Sequence, residues 1–563
     1  MIVIFFSWFI LFFCFLTFGI ATEFLLKTNS KNATLTLLLG MVTQTVLLTI
    51  CAFFTAIGLE VLIANMIFSS FLALYFRKDL RLILKSIGTD FKSISIYLKI
   101  SFAIILFSAL LKCAQFPFIL DNESYYIQTI KWLNEYGLVR GLANLNAAFG
   151  QTSGWHILQS GFNFSFVTNC INDINGFLLV ICIFYFLTQT EVLLKQKKQF
   201  HWTLFIVFFN VLSFQFINAP SPDMPLFLIG QVVFYLFLKE NKTFETTKVI
   251  TLLLVFLVFL KITIAPIGLL VLLLVYQEKR GTLFLALIGL IFGFLWMAKN
   301  VILTGYPLFP FSFFGWNVDW KMPENLLLKI NNMIQNHEFI GLKDYENFSV
   351  IDQFTIWIQF AGINGLFNKG IIVLFILALF TKKIQTIRQY KTMYALLLIH
   401  FILVFLVSPQ FRFFLIEFIF LASIIAEDLF YRLKVKPIFI HTMLLIAVLL
   451  PLLMIFLVDI QYINSNKMNQ QTDNFSWSQM LFPESNSRFE KSSFEKHTEG
   501  NLTYFSPIPN FFFYGTANGT LPCTNVKIIS SNKKKLHIVP QMRTQNLNDG
   551  FYSKTITKNK TIE

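Results

Sequence analysis

Apolar runs recur along most of the chain. They open at 2–20, 34–53 and 57–76, and continue near 100–120, 176–192, 202–218 and 225–238. The stretch 249–276 is too long for one ordinary span and reads as a hairpin of two short helices turning at "KITIAP", Lys261 to Pro266. Further runs lie near 282–298, 366–380, 393–407, 411–427 and 437–459. A helix needs about 20 apolar residues to cross the hydrocarbon core, so the pattern predicts an all-α polytopic membrane protein of roughly 12–14 transmembrane helices. This membrane domain covers residues 1–460. The first run has no basic residue before it and no small-x-small cleavage site, so a retained helix is expected rather than a signal peptide. After the last run the chain turns polar, and residues 461–563 read as a tail or small domain.

The short polar segments between runs set orientation. Six are basic: "RKDLRLILK" from Arg77, "LKQKKQ" around Lys195, "KENK" around Lys239, "QEKR" around Lys279, "TKKIQTIRQYK" from Thr381 and "YRLKVK" from Tyr431. Placing all six in the cytoplasm satisfies the positive-inside rule. The N-terminus, a first external loop at about 121–175, a third at about 299–365, and the C-terminal tail then fall on the opposite side. The expected location is the bacterial inner (cytoplasmic) membrane, with the active face and the C-terminus extracytoplasmic.

Composition agrees with this assignment. Of 563 residues, 56% are hydrophobic and 13% charged, where a soluble domain carries about a quarter charged. The net charge of +15 is an orientation signal, because much of it lies in the short loops, and no nucleic-acid partner is expected. Six cysteines are scattered mostly within apolar runs, so no disulfide framework or zinc site is implied.

Under this orientation the polar chemistry is one-sided. The first external loop carries Asp121, Glu123, Trp155 and His156, and "NAPSPDMP" carries Asp223. The hairpin presents Lys261. The third loop begins with Lys299 and Asn300 in "KNVILTGYPLFP", which also holds Tyr306, and continues to Asp319 in "WNVDWKMPE". Arg412 follows in "SPQFRF". Each has a plain structural alternative. Asp121 and Asp223 are placed to cap helices, Glu123 to meet a helix dipole, and Lys261 to snorkel to the interface. His156, beside Trp155, has the alternative of a structural hydrogen bonder. Tyr126, Ile127, Ile130 and Leu133 recur at helical spacing with Gln128, Lys131 and Asn134 opposite, which predicts an amphipathic helix on the outer membrane surface that stops near Gly137.

Many spans, a long first external loop opening with the acidic "DNE" at 121–123, a helix in that loop and a C-terminal external region together resemble the integral-membrane glycosyltransferases of the C-type (GT-C) fold. More closely, "DNESYYIQTIKWLNEYGLVRGLANLNAAFG", "APSPDMP", "GYPLFP", "DWKMP" and "SPQFRF" resemble an uncharacterised family of bacterial multi-spanning proteins defined by a domain of unknown function. Members of that family often carry a His where this chain has Tyr126. The resemblance implies transfer of a hexosyl or pentosyl group from a polyprenyl-phosphate donor to a glycan, lipid or protein acceptor outside the cytoplasm. Asp121 and Glu123 are then the catalytic candidates, one as general base. Asp223, Lys261, Lys299, Asn300, Tyr306, Asp319, Arg412, Trp155 and His156 are the substrate-binding candidates. The two acids also offer hard oxygen ligands to a divalent cation such as Mg or Mn, though two carboxylates are too few to require one. The competing readings are a surface-polysaccharide polymerase or ligase, a lipid-linked glycan transporter, and a non-catalytic glycan-binding membrane protein.

Overall fold

The structure is a computed structural model. It describes residues 1–556 apart from 29, 31, 168–172, 198–199, 240–242, 278–280, 341, 343–346, 458–474, 490–491 and 509–514. Among the described residues, seven helices are long and apolar enough to cross a membrane, or nine if each of two bent helix pairs is one span. The protein is therefore a multi-pass helical membrane protein. Much of the "KENK" and "QEKR" segments lies outside the described residues.

Shorter apolar helices account for much of the difference from the 12–14 expected. The run at 202–218 is a short helix, Trp202–Phe208, followed by a 3-10 segment, Phe209–Ser213. Asp223–Leu238 has 16 residues, all of them buried. Leu59–Tyr75 ends in a 91° bend into the amphipathic helix Arg77–Ser93, which takes up the first basic segment. The expected break in 249–276 is present: helix Phe244–Leu260 stops at Lys261, and short turns lead through Ala265–Gly268 into Leu270–Gln277.

Ile2–Leu26 and Ala33–Ala52 form the most closely packed helix pair, joined by a turn in which the Asn32 side chain caps the Leu35 amide at 3.1 Å. Gly19 lies against the Thr36 backbone and Gly40 against Phe15, so close that a Cβ at either position would overlap the neighbouring helix. Small residues of this kind let helices pack backbone to backbone where no hydrophobic force drives them together.

The first loop is an internal structure rather than a surface one. A π-helical turn, Asn122–Tyr126, runs into helix Ile127–Tyr136, which stops at Gly137 with φ 73°. That helix does not lie on the membrane with its polar face in water, as its amphipathic pattern led us to expect. Gln128 and Thr129 are buried, and Gln128 Nε2 donates to the Gly519 carbonyl at 2.7 Å, with Lys131 Nζ donating to the same carbonyl at 2.9 Å. Gln128 and Lys131 on the polar face dock the tail, and Asn134 Nδ2 bonds the Ser160 carbonyl at 2.8 Å.

The tail departs from the all-α expectation. Strands β1 (Phe494–Glu499) and β2 (Leu502–Pro507) pair antiparallel, as do β3 (Ile538–Met542) and β4 (Phe551–Thr555), with helix Val526–Leu536 between the hairpins. These are short polar strands whose buried positions alternate, as in β2, and a search for long apolar runs passes over them. The tail meets the first loop closely. The Phe551 amide donates to the Arg140 carbonyl at 2.9 Å, and Ser553 Oγ donates to Asn144 Oδ1 at 2.7 Å. Gly550, at φ 89°, sits directly against the Arg140 backbone, and Gly141, at φ 61°, against the Phe551 carbonyl. Both positions favour glycine by conformation and by space.

Gly550→Ala is expected to release the tail while leaving the membrane helices inserted. Limited proteolysis of the variant in detergent should cleave within 494–556 under conditions where the parent protein resists. Equal resistance would show that this contact does not hold the tail.

Candidate functional site

Six segments converge on one cavity of about 340 Å³. The first loop supplies Asp121, Tyr125, Asn146, Thr152 and Ser153, and the broken helix supplies Phe259, Leu260 and Lys261. The C-terminal end of helix Thr282–Thr304 supplies Trp296, Lys299 and Asn300, and helix Glu324–Gln335 supplies Lys329, Ile330 and Ile334. Val407, Gln410 and Arg412 come from the end of helix Arg388–Val407 and the turn after it. The tail helix adds Ile528 and Asn532.

An array of ion pairs crosses this cavity. Arg412 Nη1 donates to Asp121 Oδ2 at 2.5 Å, and Arg412 Nε lies 3.6 Å from Asp223 Oδ2. Lys261 Nζ donates to the other oxygen of Asp223, whose side chain is 2% exposed and sits just behind the cavity wall. Gln410 Oε1 accepts from Arg412 Nε at 2.9 Å, and Gln410 Nε2 donates to Ser408 Oγ at 2.9 Å, which fixes the guanidinium plane. Lys261 also lies over the Phe413 ring, 3.8 Å from its centroid. Removing one partner of a buried pair strands the other charge, at a cost of about 3–5 kcal/mol. The array therefore ties the first loop, the Asp223 helix, the broken helix and the Arg412 turn together.

Neither Asp121 nor Asp223 caps its helix. Asp121 precedes the π-helical turn without a side-chain bond to its amides, and its carboxylate instead takes Arg412 and, at 3.4 Å, the Tyr126 hydroxyl. Burial alone raises a carboxyl pKa, but the adjacent Arg412 guanidinium outweighs it and holds Asp121 below the usual carboxylate range. Burial opposes the charge on Arg412 too, yet Asp121 and Asp223 keep it protonated well above its usual range.

Lys299 is a cavity lysine without a carboxylate partner. It is 3% exposed, and Nζ donates to the Thr152 carbonyl at 2.6 Å and to Asn300 Oδ1 at 2.9 Å, with no acid in ion-pair range among the described residues. Asp121 is the one acid among the cavity-lining residues described, where Lys261, Lys299, Lys329 and Arg412 also line it. The cavity has an excess of positive charge.

Five predicted site residues lie elsewhere. Glu123 is buried two residues from Asp121 but faces away from the cavity. Ser487 Oγ donates to its Oε2 at 2.7 Å, the Arg488 amide donates to Oε1 at 3.2 Å, and its backbone carbonyl receives the Thr516 and Ala517 amides, each at 2.9 Å. Burial raises its pKa despite those bonds. Trp155 is buried, its indole N–H bonded to Asn175 Oδ1 at 2.7 Å. His156 completes a capping box with Ser153, and burial pushes its pKa down to about 3, so it stays neutral. The Tyr306 hydroxyl bonds the Met322 carbonyl at 3.1 Å in a second core cluster. Asp319 grips Arg543 of the tail through two bonds, at 2.6 and 3.1 Å.

Gln410, Lys329 and His337 line the cavity and were not singled out from sequence. Gln410 stands in the quoted "SPQFR" turn, two residues from Arg412, where its proximity was a usable signal. Lys329 and His337 sit in a helix and turn whose fold over the cavity no local pattern reveals.

A divalent cation bridging Asp121 and Glu123 does not fit, because one carboxylate is engaged by Arg412 and the other by Ser487 and Arg488 on separate sides of the turn. Among the described residues, no group of three or more His, Cys, Asp or Glu side chains comes together to hold a metal.

The family model for Domain of unknown function (DUF8201) matches residues 1–420. The chain belongs to this family. The match takes in Asp121, Asp223, Lys261, Lys299 and Arg412, and stops before the tail that contributes Ile528 and Asn532 to the cavity. Neither a curated protein nor a solved structure matches the chain.

The two acids of "DNE" should separate on mutation. Glu123→Gln keeps acceptors for the Arg488 amide and a partner for Ser487, and is expected to leave the tail docked. Glu123→Ala should expose residues 485–489 to hydrogen exchange by at least tenfold. Unchanged exchange in Glu123→Ala would remove the anchoring role.

Proposed function

We propose that this DUF8201 protein is a membrane glycosyltransferase that moves a sugar from a polyprenyl-phosphate donor to an acceptor outside the cytoplasm. The observation that carries the reading is the meeting of Asp121 with Lys261, Lys299 and Arg412 in a cavity otherwise walled by Phe259, Leu260, Trp296, Ile334 and Val407. Such a cavity suits a ligand with an anionic head and an apolar tail, and its volume falls within the roughly 300–1,000 Å³ of small-molecule sites. Orientation supports the same reading. Helix Arg388–Val407 begins beside Lys382, Lys383 and Arg388 and ends at the cavity, and helix Leu415–Arg432 runs from the cavity to Arg432, Lys434 and Lys436. Basic ends on the far side favour a cavity facing away from the cytoplasm.

In this mechanism the donor phosphate competes with Asp121 for Arg412 and takes Lys299 as a second partner. The Asp121 carboxylate, released from Arg412, accepts the proton of the acceptor hydroxyl. The acceptor oxygen forms its bond to the anomeric carbon as the bond from that carbon to the phosphate oxygen breaks. The electron pair leaves with the phosphate, and the configuration inverts. Arg412, Lys261 and Lys299 are placed where that negative charge grows.

Asp121→Asn tests this directly, with labelled sugar transfer from polyprenyl phosphate as the readout. A general base contributes about 10²–10⁴ in rate, so transfer should fall by at least about a hundredfold while the purified variant stays monodisperse. Full activity in Asp121→Asn, with Arg412→Lys inactive, would overturn the carboxylate mechanism and favour a polysaccharide polymerase or ligase.

A further inference from the structure

The third loop carries a patch that the catalytic reading leaves unused. Phe311, Phe313, Phe314 and Trp316 are all exposed within six residues, Phe313 by 63% and Phe314 by 78%. A contiguous apolar patch of this kind marks a contact surface, whereas single exposed apolar residues do not.

The patch is held rigidly. The Trp316 amide donates to the Gly305 carbonyl at 2.9 Å, the Phe311 amide to Leu308 at 2.9 Å, and Asn331 Nδ2 to the Pro310 carbonyl at 2.8 Å. Gly315 packs against Lys321 and Tyr306 with no room for a side chain. Phe314 has φ 58°, a left-handed conformation unfavourable for a bulky residue. The turn is strained in a way that presents aromatic rings outward.

Its surroundings identify what it meets. Leu283, Leu287, Leu290, Ile291 and Phe294 lie exposed on helix Thr282–Thr304 at helical spacing, and the loop follows the cavity end of that helix. Ile340, which lines the cavity, is also exposed, as are Leu342, Val350, Ile351 and Phe354. The last three lie on helix Val350–Gln359, which is bent 114° from the span Gly362–Ala378 and so lies across its end. Trp296, Phe309, Pro310, Ile334, Ile340 and Val407 line the cavity, and helix Val350–Gln359 is tied beside it by Trp357, whose indole N–H donates to the Pro409 carbonyl at 2.7 Å.

We propose that residues 311–316 are embedded in the bilayer leaflet at the cavity end of the protein and form one lip of a lateral opening through which the lipid-linked substrate reaches the cavity. The opposite lip is helix Val350–Gln359. Acyl chains fit the patch better than a sugar does, because Ser312 and Trp316 are the only residues of 311–316 with a polar side chain. A phenylalanine loop anchored by one tryptophan also matches the bilayer interface, where the indole N–H stays hydrated. The embedding stands on the geometry alone, and only the identity of the substrate rests on the transferase reading.

Trp316→Phe isolates the one tryptophan concerned. Parent and variant are reconstituted in vesicles of phosphatidylcholine with and without acyl-chain bromine, and the fluorescence difference between them is the Trp316 signal. Bromolipid should remove more than half of that difference, while aqueous acrylamide leaves most of it. A difference quenched by acrylamide and spared by bromolipid would overturn the embedding and indicate a water-facing platform. For the opening, Phe313→Glu with Phe314→Glu should slow association of a long-chain polyprenyl phosphate at least fivefold without affecting a short, water-soluble isoprenyl phosphate. Equal effects on both, or none on either, would overturn the lateral route. Neither measurement needs turnover, so a failure here is distinct from a failure of the transferase assignment.

Discussion

Arg412 bridging Asp121 and Asp223 is the interaction on which the site depends. A single guanidinium, oriented by Gln410, joins a carboxylate from the first loop to one at the start of a fully buried helix, and Lys261 closes the far side of the array. Each of these charges is unfavourable in an apolar setting without its partners, so the segments must arrive together. The break at Lys261 follows from the same constraint. The lysine stands at the end of helix Phe244–Leu260, where the backbone turns and the ammonium reaches Asp223. The array also leaves the cavity ready for an anion, since Lys299 has no carboxylate of its own.

The tail gives the second half of the architecture. Glu123, Gln128, Lys131, Arg140 and Asn144 of the first loop bind its backbone or side chains, and Asp319 of the third loop binds Arg543. Its helix Val526–Leu536 reaches the cavity through Ile528 and Asn532, and Asn532 Oδ1 accepts from Lys329 Nζ at 2.7 Å. Two adjacent acids therefore serve different ends. Asp121 points into the cavity and Glu123 points to the tail, as residues two apart on a helical turn do.

Charge segregation in the sequence was enough to bring Asp121, Asp223, Lys261, Lys299, Asn300 and Arg412 into one account, and all six lie in or directly behind the cavity. Segregation reports the face of the protein on which a residue falls, not which way its side chain turns. Tyr306 and Asp319 lie in the same third loop as Lys299, yet one supports a core and the other holds the tail. The run 202–238 forms helices shorter than an ordinary span, and Asp223–Leu238 is buried along its whole length, which composition alone does not reveal. The amphipathic pattern of Ile127–Tyr136 was correctly periodic, and its stop at Gly137 was placed correctly, but its polar face binds protein instead of water. The strands escaped notice because their signal is a short alternation within a polar tail.

Binding of polyprenyl monophosphate, compared with the uncharged polyprenol of the same length, tests the central claim most directly. On the proposed reading both ligands occupy the apolar wall, and only the first engages Lys299 and Arg412. The account predicts that the phosphate binds at least about tenfold more tightly, equivalent to about 1.4 kcal/mol, and that Lys299→Met removes most of that advantage without changing the Kd for the alcohol. Equal affinity for the two ligands, or a phosphate preference that persists unchanged in Lys299→Met, would contradict it.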